Sequence, residues 1–157
     1  MEDIHWKSGV SYNGIPIPTY GNYGGPSWSE GRVGPSTDGV YDPGKGPIDA
    51  LDTLFFNHDY AAHLGVPDIA ADKALLDSMV ALTDRQLDAE ASLYSGLAEL
   101  AMINKLAAEG YHFSSHELYR DVQDAVHNIG TGLAGLRFSE TLEFGDWAAH
   151  TGGALLV

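Results

Sequence analysis

His58 and Asp59 stand side by side in an otherwise apolar, helix-patterned stretch, and together they offer an imidazole base next to a carboxylate. Neighbours on a helix point about 100° apart, so the two side chains serve different targets. That division gives Asp59 the role of oxygen ligand to a metal and His58 the role of base toward a water, once a third group fixes the imidazole tautomer. Asp77 is the candidate for that third group. The link Gly65-Val66-Pro67 folds its helix back antiparallel to the first, with an axial offset from His58 of about three residues, or about 4.5 Å. The run Tyr20-Gly21-Asn22-Tyr23-Gly24-Gly25 can turn backbone carbonyls inward toward a cation. Calcium suits such a set, since it takes six to eight hard oxygens and mixes carbonyls with a carboxylate. Zinc would ask for more imidazole or thiolate, and the chain has no Cys.

The elements that must position these groups fall into two halves of what reads as one domain over 1–157. Residues 1–46 hold ten of the 19 Gly and five of the seven Pro, which excludes helix and predicts a loop-rich region. Within it, Val10 to Ile17 can turn at Asn13-Gly14 into a short hairpin with Pro16 on an edge. From Pro47 the periodicity is helical. A first helix runs to Gly65, and a second, capped by Asp68, runs to Leu82, so 47–82 is the helix pair. In 83–157, Thr83 with Gln86 makes a capping box for a long apolar helix to Gly110. Ser114 with Glu117 makes another for a helix ending near Gly130. Leu136, Phe138, Leu142 and Phe144 then alternate as in a strand. The fold class is mainly α.

A net charge of −14 and only eight scattered cations leave no basic stripe for a nucleic acid, while favouring a divalent cation as partner. No signal-peptide order marks the N-terminus, and Glu99, Asn104 and Lys105 interrupt the most apolar stretch.

The loop and the helix together resemble the secreted phospholipase A2 superfamily, in its cysteine-free, bacterial or viral form. The family's calcium loop reads YGxYxG, matched by Tyr20 to Gly25, and its catalytic helix reads DxCCxxHD, matched by Asp52 to Asp59 with Leu54 and Phe55 in place of the cysteines. Ala71-Asp72-Lys73-Ala74-Leu75-Leu76-Asp77 resembles the segment that delivers the family's second Asp. The resemblance covers Tyr20 to about Leu82. It implies a phospholipase A2-like pair of antiparallel helices, calcium as cofactor, and hydrolysis of the sn-2 ester of glycerophospholipids at a membrane or micelle interface. His58 would be the base, Asp77 its orienting partner, and Asp59 with the carbonyls of Tyr23, Gly25 and Ser27 the calcium ligands. A secreted location is implied by the resemblance alone. Two departures stand out. Ala62 occupies the position of a family Tyr that hydrogen-bonds the orienting Asp, and the stretch from Trp28 to Tyr41 lengthens the connection between loop and helix.

Other readings compete. A calcium- or lipid-binding module on the same scaffold would keep the ligands and lack turnover. A His-Asp metal phosphohydrolase would need an upstream metal-binding His, and only His5 precedes His58. His63 reads as a helix C-terminal group favoured by the dipole, and His112 and His116 as solvent-facing. Arg120 breaks the HExxH pattern begun at His116-Glu117. The GxGxxG letters at Gly130 to Gly135 follow a helix, not a strand, and read as helix termination and loop. No GxSxG elbow occurs. Leu87 to Ala107 reads as core, whereas joint exposure of Trp28, Phe144 and Trp147 would mark a lipid-adsorbing surface.

Overall fold

A computed structural model of the chain describes residues 3–12, 14–26, 28–29, 31–33 and 46–151. Among these residues the protein is mainly helical, with five α-helices preceded by three small antiparallel ribbons. The ribbons pair β1 (Ile4–His5) with β4 (Thr19–Tyr20), β2 (Ser11–Tyr12) with β3 (Ile15–Pro16), and β5 (Trp28–Ser29) with β6 (Arg32–Val33). The middle ribbon is the hairpin expected over 10–17. Gly14 at φ 79° supplies its turn, and Ser11 stands opposite Pro16. The outer two ribbons tie down a region whose composition predicted only loop, and they do so through backbone pairs that no side-chain pattern announces.

The helix boundaries follow local capping chemistry. Helix α1 (Ala50–His63) starts where Asp49 accepts from the amide of Asp52, three residues later than Pro47 suggested, and ends before Gly65 at φ 80°. Helix α2 (Asp68–Val80) has Pro67 at its cap, with Asp68 already helical. Thr83 and Gln86 do bond reciprocally, but they enclose one 3-10 turn; α3 (Ala89–Ala108) starts afresh at Asp88, whose carboxylate accepts from Ala91 N at 2.9 Å. Helix α4 (Ser115–Gly135) begins as its capping signal predicts, with Glu117 N donating to Ser114 Oγ at 3.1 Å.

The expected C-terminal strand is instead helix α5 (Phe138–Thr151). Arg137 N donates to Glu140 Oε2 at 2.8 Å, half of a capping box. The alternating apolar residues divide between two faces. Phe144 and Trp147 pack on buried Trp6, while Phe138 and Leu142 face solvent. Period-2 spacing was a coincidence of two helical stripes. Trp28 is buried, so Trp28, Phe144 and Trp147 form no common exposed surface. No helix among the described residues is long and apolar enough to cross a membrane.

Helix α3 is central, packed on α2 and α4, and α1 packs on α2. Leu51, Leu75, Met79, Leu93 and Tyr94 lie in one core with Tyr20 and Tyr23 from the N-terminal half. Contact between α3 and α4 depends on small residues. A Cβ at Gly132 would lie 2.4 Å from Leu93 N, and one at Gly96 would lie 2.5 Å from Ala125 O. The glycines at 130–135 therefore belong to helix α4, with Gly132 at a close helix crossing, and not to a terminating loop. Gly132→Ala should destabilise by about 1–3 kcal/mol, because the neighbour it meets is backbone. Gly130→Ala meets nothing within 4 Å and should stabilise by about 0.5–1 kcal/mol. Urea unfolding of the two variants decides the matter; equal midpoints would remove the close-packing account.

Candidate functional site

Three helices converge on one buried carboxylate. His58, in the third turn of α1, places Nε2 2.7 Å from Oδ1 of Asp72 on α2, and Lys105 on α3 brings Nζ to 2.5 Å from Oδ2 of the same residue. Asp72 is 1% exposed. Its carboxyl is held below the ordinary range: burial alone would raise it, but the bonds from Lys105 and His58 outweigh that. An ionised carboxylate only accepts, so Nε2 of His58 carries the ring proton and Nδ1 of the neutral imidazole presents a lone pair.

Asp77, the partner expected for His58, lies elsewhere. It is half exposed, pairs with Lys73, and joins Glu117 and Asp121, whose carboxylate oxygens lie within 4.8 Å of one another. Lys73 Nζ also reaches Glu117 at 2.9 Å, and Arg120 pairs with Asp121 at 2.8 Å, so cations of the chain already serve this group. The correction has a geometric cause. Asp72 sits four residues beyond the start of α2, a closer axial match to His58 than Asp77, and five residues on a helix turn the side chain about 140° away.

Asp59 meets the N-terminal half. Its Oδ2 accepts from Ser29 Oγ of β5 at 2.8 Å, and its Oδ1 lies 3.8 Å from His58 Nδ1. The imidazole is thus gripped by Asp72 at one nitrogen and turns the other toward Asp59. Asp59 first, and then Asp72, raise the imidazole above its ordinary value, with burial opposing them.

The Tyr20–Gly25 loop is wired to the same helix two turns earlier. Asp52, fully buried, accepts from Tyr23 N at 2.8 Å, Asn22 N at 2.9 Å and Ile48 N at 3.0 Å. Burial still leaves its carboxyl above the ordinary range. Gly21, at φ 52°, has no room for a side chain, since a Cβ would lie 2.5 Å from Asp52 Cγ. Tyr20 and Gly24 exchange backbone bonds at 2.7 and 2.8 Å, Trp28 Nε1 donates to Gly21 O at 3.0 Å, and Tyr94 of α3 donates to Pro18 O at 3.1 Å. Tyr20 also donates its hydroxyl to Asp49, the cap of α1. Asp52 and Asp59 are seven residues apart, so they share one face of α1 about 10 Å apart. Tyr23 is held by one and Ser29 by the other, while Gly25 lies against Thr19 and Tyr94 and its O accepts from Trp28 N at 3.3 Å. Ser27 lies outside the described residues.

His58 and Asp59 are thus neighbours on α1 with different partners, Tyr23 is tied to Asp52 on the same helix, Gly25 lies against Thr19 and Tyr94, and Asp77 is apart from them all. Asp72, Asp52, Ser29 and Lys105 complete the arrangement. Asp52 and Asp72 stood inside the motifs without a role, whereas Lys105 carried no signal beyond its charge. Surface clefts of about 170 Å³ around Trp6 to Ser11 and about 270 Å³ around Asp88, Arg137 and Glu140 share no residue with this site. Comparison with protein-family models, curated proteins and solved structures finds no match to this chain.

Proposed function

We propose that this chain is a phospholipase A2-like hydrolase that cleaves the sn-2 ester of glycerophospholipids with calcium as cofactor. The observation that carries the reading is the orientation of His58. With Nε2 on Asp72, the other ring nitrogen, Nδ1, is left with its lone pair and lies 3.8 Å from Asp59 Oδ1. A water there would give its proton to Nδ1 as it attacks an ester carbonyl, and Asp72 would stabilise the imidazolium that forms.

Asp59 and the carbonyls of Tyr23 and Gly25 are the proposed calcium ligands. The donor types fit, being a carboxylate and backbone oxygens with no soft ligand. Bound there, calcium supplies positive charge for the substrate phosphate and for the oxygen that becomes anionic. Ser29 holds Asp59 from the side, as a partner that orients a ligand carboxylate does. A phosphohydrolase reading would need His5 as a metal ligand, but His5 Nε2 lies 3.1 Å from Gly21 O and braces the loop.

The test is fatty-acid release from mixed micelles of a phospholipid with different sn-1 and sn-2 chains, with calcium and with chelator. The sn-2 chain should appear with calcium only. Equal release under chelator would remove the metal from the reaction. Calcium binding with no product at all would make the chain a binding module.

A further inference from the structure

We propose that Lys105 is the positioning residue of this site: its ammonium holds Oδ2 of Asp72 from α3, so that Oδ1 stays on Nε2 of His58. The inference rests on the hydrolase reading above and adds to it a residue that the motifs do not contain.

Asp72 is buried, yet a carboxylate with one partner can turn about its terminal torsion and carry its second oxygen, unmatched, into the core. Something must hold the far oxygen. Ala62, four residues beyond His58, offers no hydroxyl, and the hydroxyls of Tyr20, Tyr94 and Tyr111 donate to Asp49, Pro18 and Glu117 instead. Lys105 occupies the place at 2.5 Å. It has a competing anion on its own helix, Glu109, at 3.6 Å, and Asp68 of α2 acts on it from further off. The closer pairing with the buried carboxylate selects one geometry. The pair is an ion contact to a buried anion, and removing the cation would leave a charge that water cannot reach. The three helices are thereby fixed at the depth where α1 presents His58. Lys105 touches neither substrate nor metal in this account.

Lys105→Met and Lys105→Arg, made in the full chain, test the assignment. Lys105→Met leaves buried Asp72 without its cation and should lower the unfolding temperature, so thermal unfolding is measured first and rates are compared at a temperature where both variants are folded. With calcium and micellar phospholipid, Lys105→Met should lose about 10- to 100-fold in kcat while KM and the calcium requirement change by less than about twofold, and Lys105→Arg should recover most of the rate. A kcat within about twofold of the parent for Lys105→Met, or an Arg variant as slow as the Met one, overturns the proposal. A second readout does not need turnover. The His58 Nε2–H proton, held on Asp72, should give a protected NMR resonance in the parent and the Arg variant and should broaden by exchange with water in the Met variant. If the parent releases no fatty acid, the hydrolase reading fails by itself, and an unchanged resonance in Lys105→Met would then still sink the role given to Lys105.

Discussion

Replacing His58 with Gln should cut sn-2 ester hydrolysis by about a hundred- to ten-thousand-fold while leaving calcium binding in place. The glutamine amide can still donate to Asp72, so the bond between α1 and α2 survives and the loss is chemical, not structural. Asp59→Asn makes the complementary variant and should weaken calcium first. Isothermal titration with calcium, run beside the rate assay, separates the two. If His58→Gln keeps its turnover, the base is another group. The same residue sets the pH dependence. A base must be neutral to act, so the rate should fall as pH drops through the His58 pKa. Without metal, Asp59 and then Asp72 favour the imidazolium and hold that pKa above the ordinary 6.5. Calcium on Asp59 removes the larger of these two effects. The acid limb of the rate at saturating calcium should therefore lie at lower pH than the His58 titration followed by NMR in chelator. Coincident midpoints would mean that the cation does not sit on Asp59.

What could be read from residue types was local. Ser114 caps α4 because its partner is three residues away, and the hairpin over 10–17 turns at a glycine within the same window. His58, Asp59 and the glycine-rich loop stood out for the same reason, since each is a cluster of groups close in sequence. Choosing between Asp72 and Asp77 required knowing how far α2 slides along α1 and which of its faces turns inward, and a difference of five residues changes both. Lys105 lies beyond reach of any spacing argument, because only the packing of α3 on α2 brings it to Asp72. Helix α5 was misread where two sparse apolar stripes, one on Trp6 and one in solvent, mimic alternation. Gly132 was misread because a glycine needed for close helix approach has the same letter as one that ends a helix. The misses at Asp77, Lys105 and Gly132 concern tertiary distance, a quantity that composition and periodicity do not carry, whereas those at the starts of α1, α2 and α3 are local choices between neighbouring caps.

Asp52→Ala should be the most damaging single change outside the catalytic pair, costing about 3 kcal/mol or more, because it leaves the amides of Asn22, Tyr23 and Ile48 without their acceptor. Asp52→Asn is the sharper test. It keeps the size and one acceptor oxygen but turns an NH2 group toward donors, so the loop must shift while the helix persists. Tyr23 is held by Asp52 through its amide, and its carbonyl is a proposed calcium ligand; a loop that shifts there loses metal affinity. Denaturant unfolding with and without calcium reads both effects at once. In the parent, calcium at about a hundred times its Kd should add about 2.7 kcal/mol of stability. The increment should shrink in Asp52→Asn at the same calcium concentration, over and above the fall in metal-free stability. If metal-free stability falls while the calcium increment stays at the parent value, Asp52 holds the fold together but does not set the geometry of the loop carbonyls, and the ligand at Tyr23 must be given up.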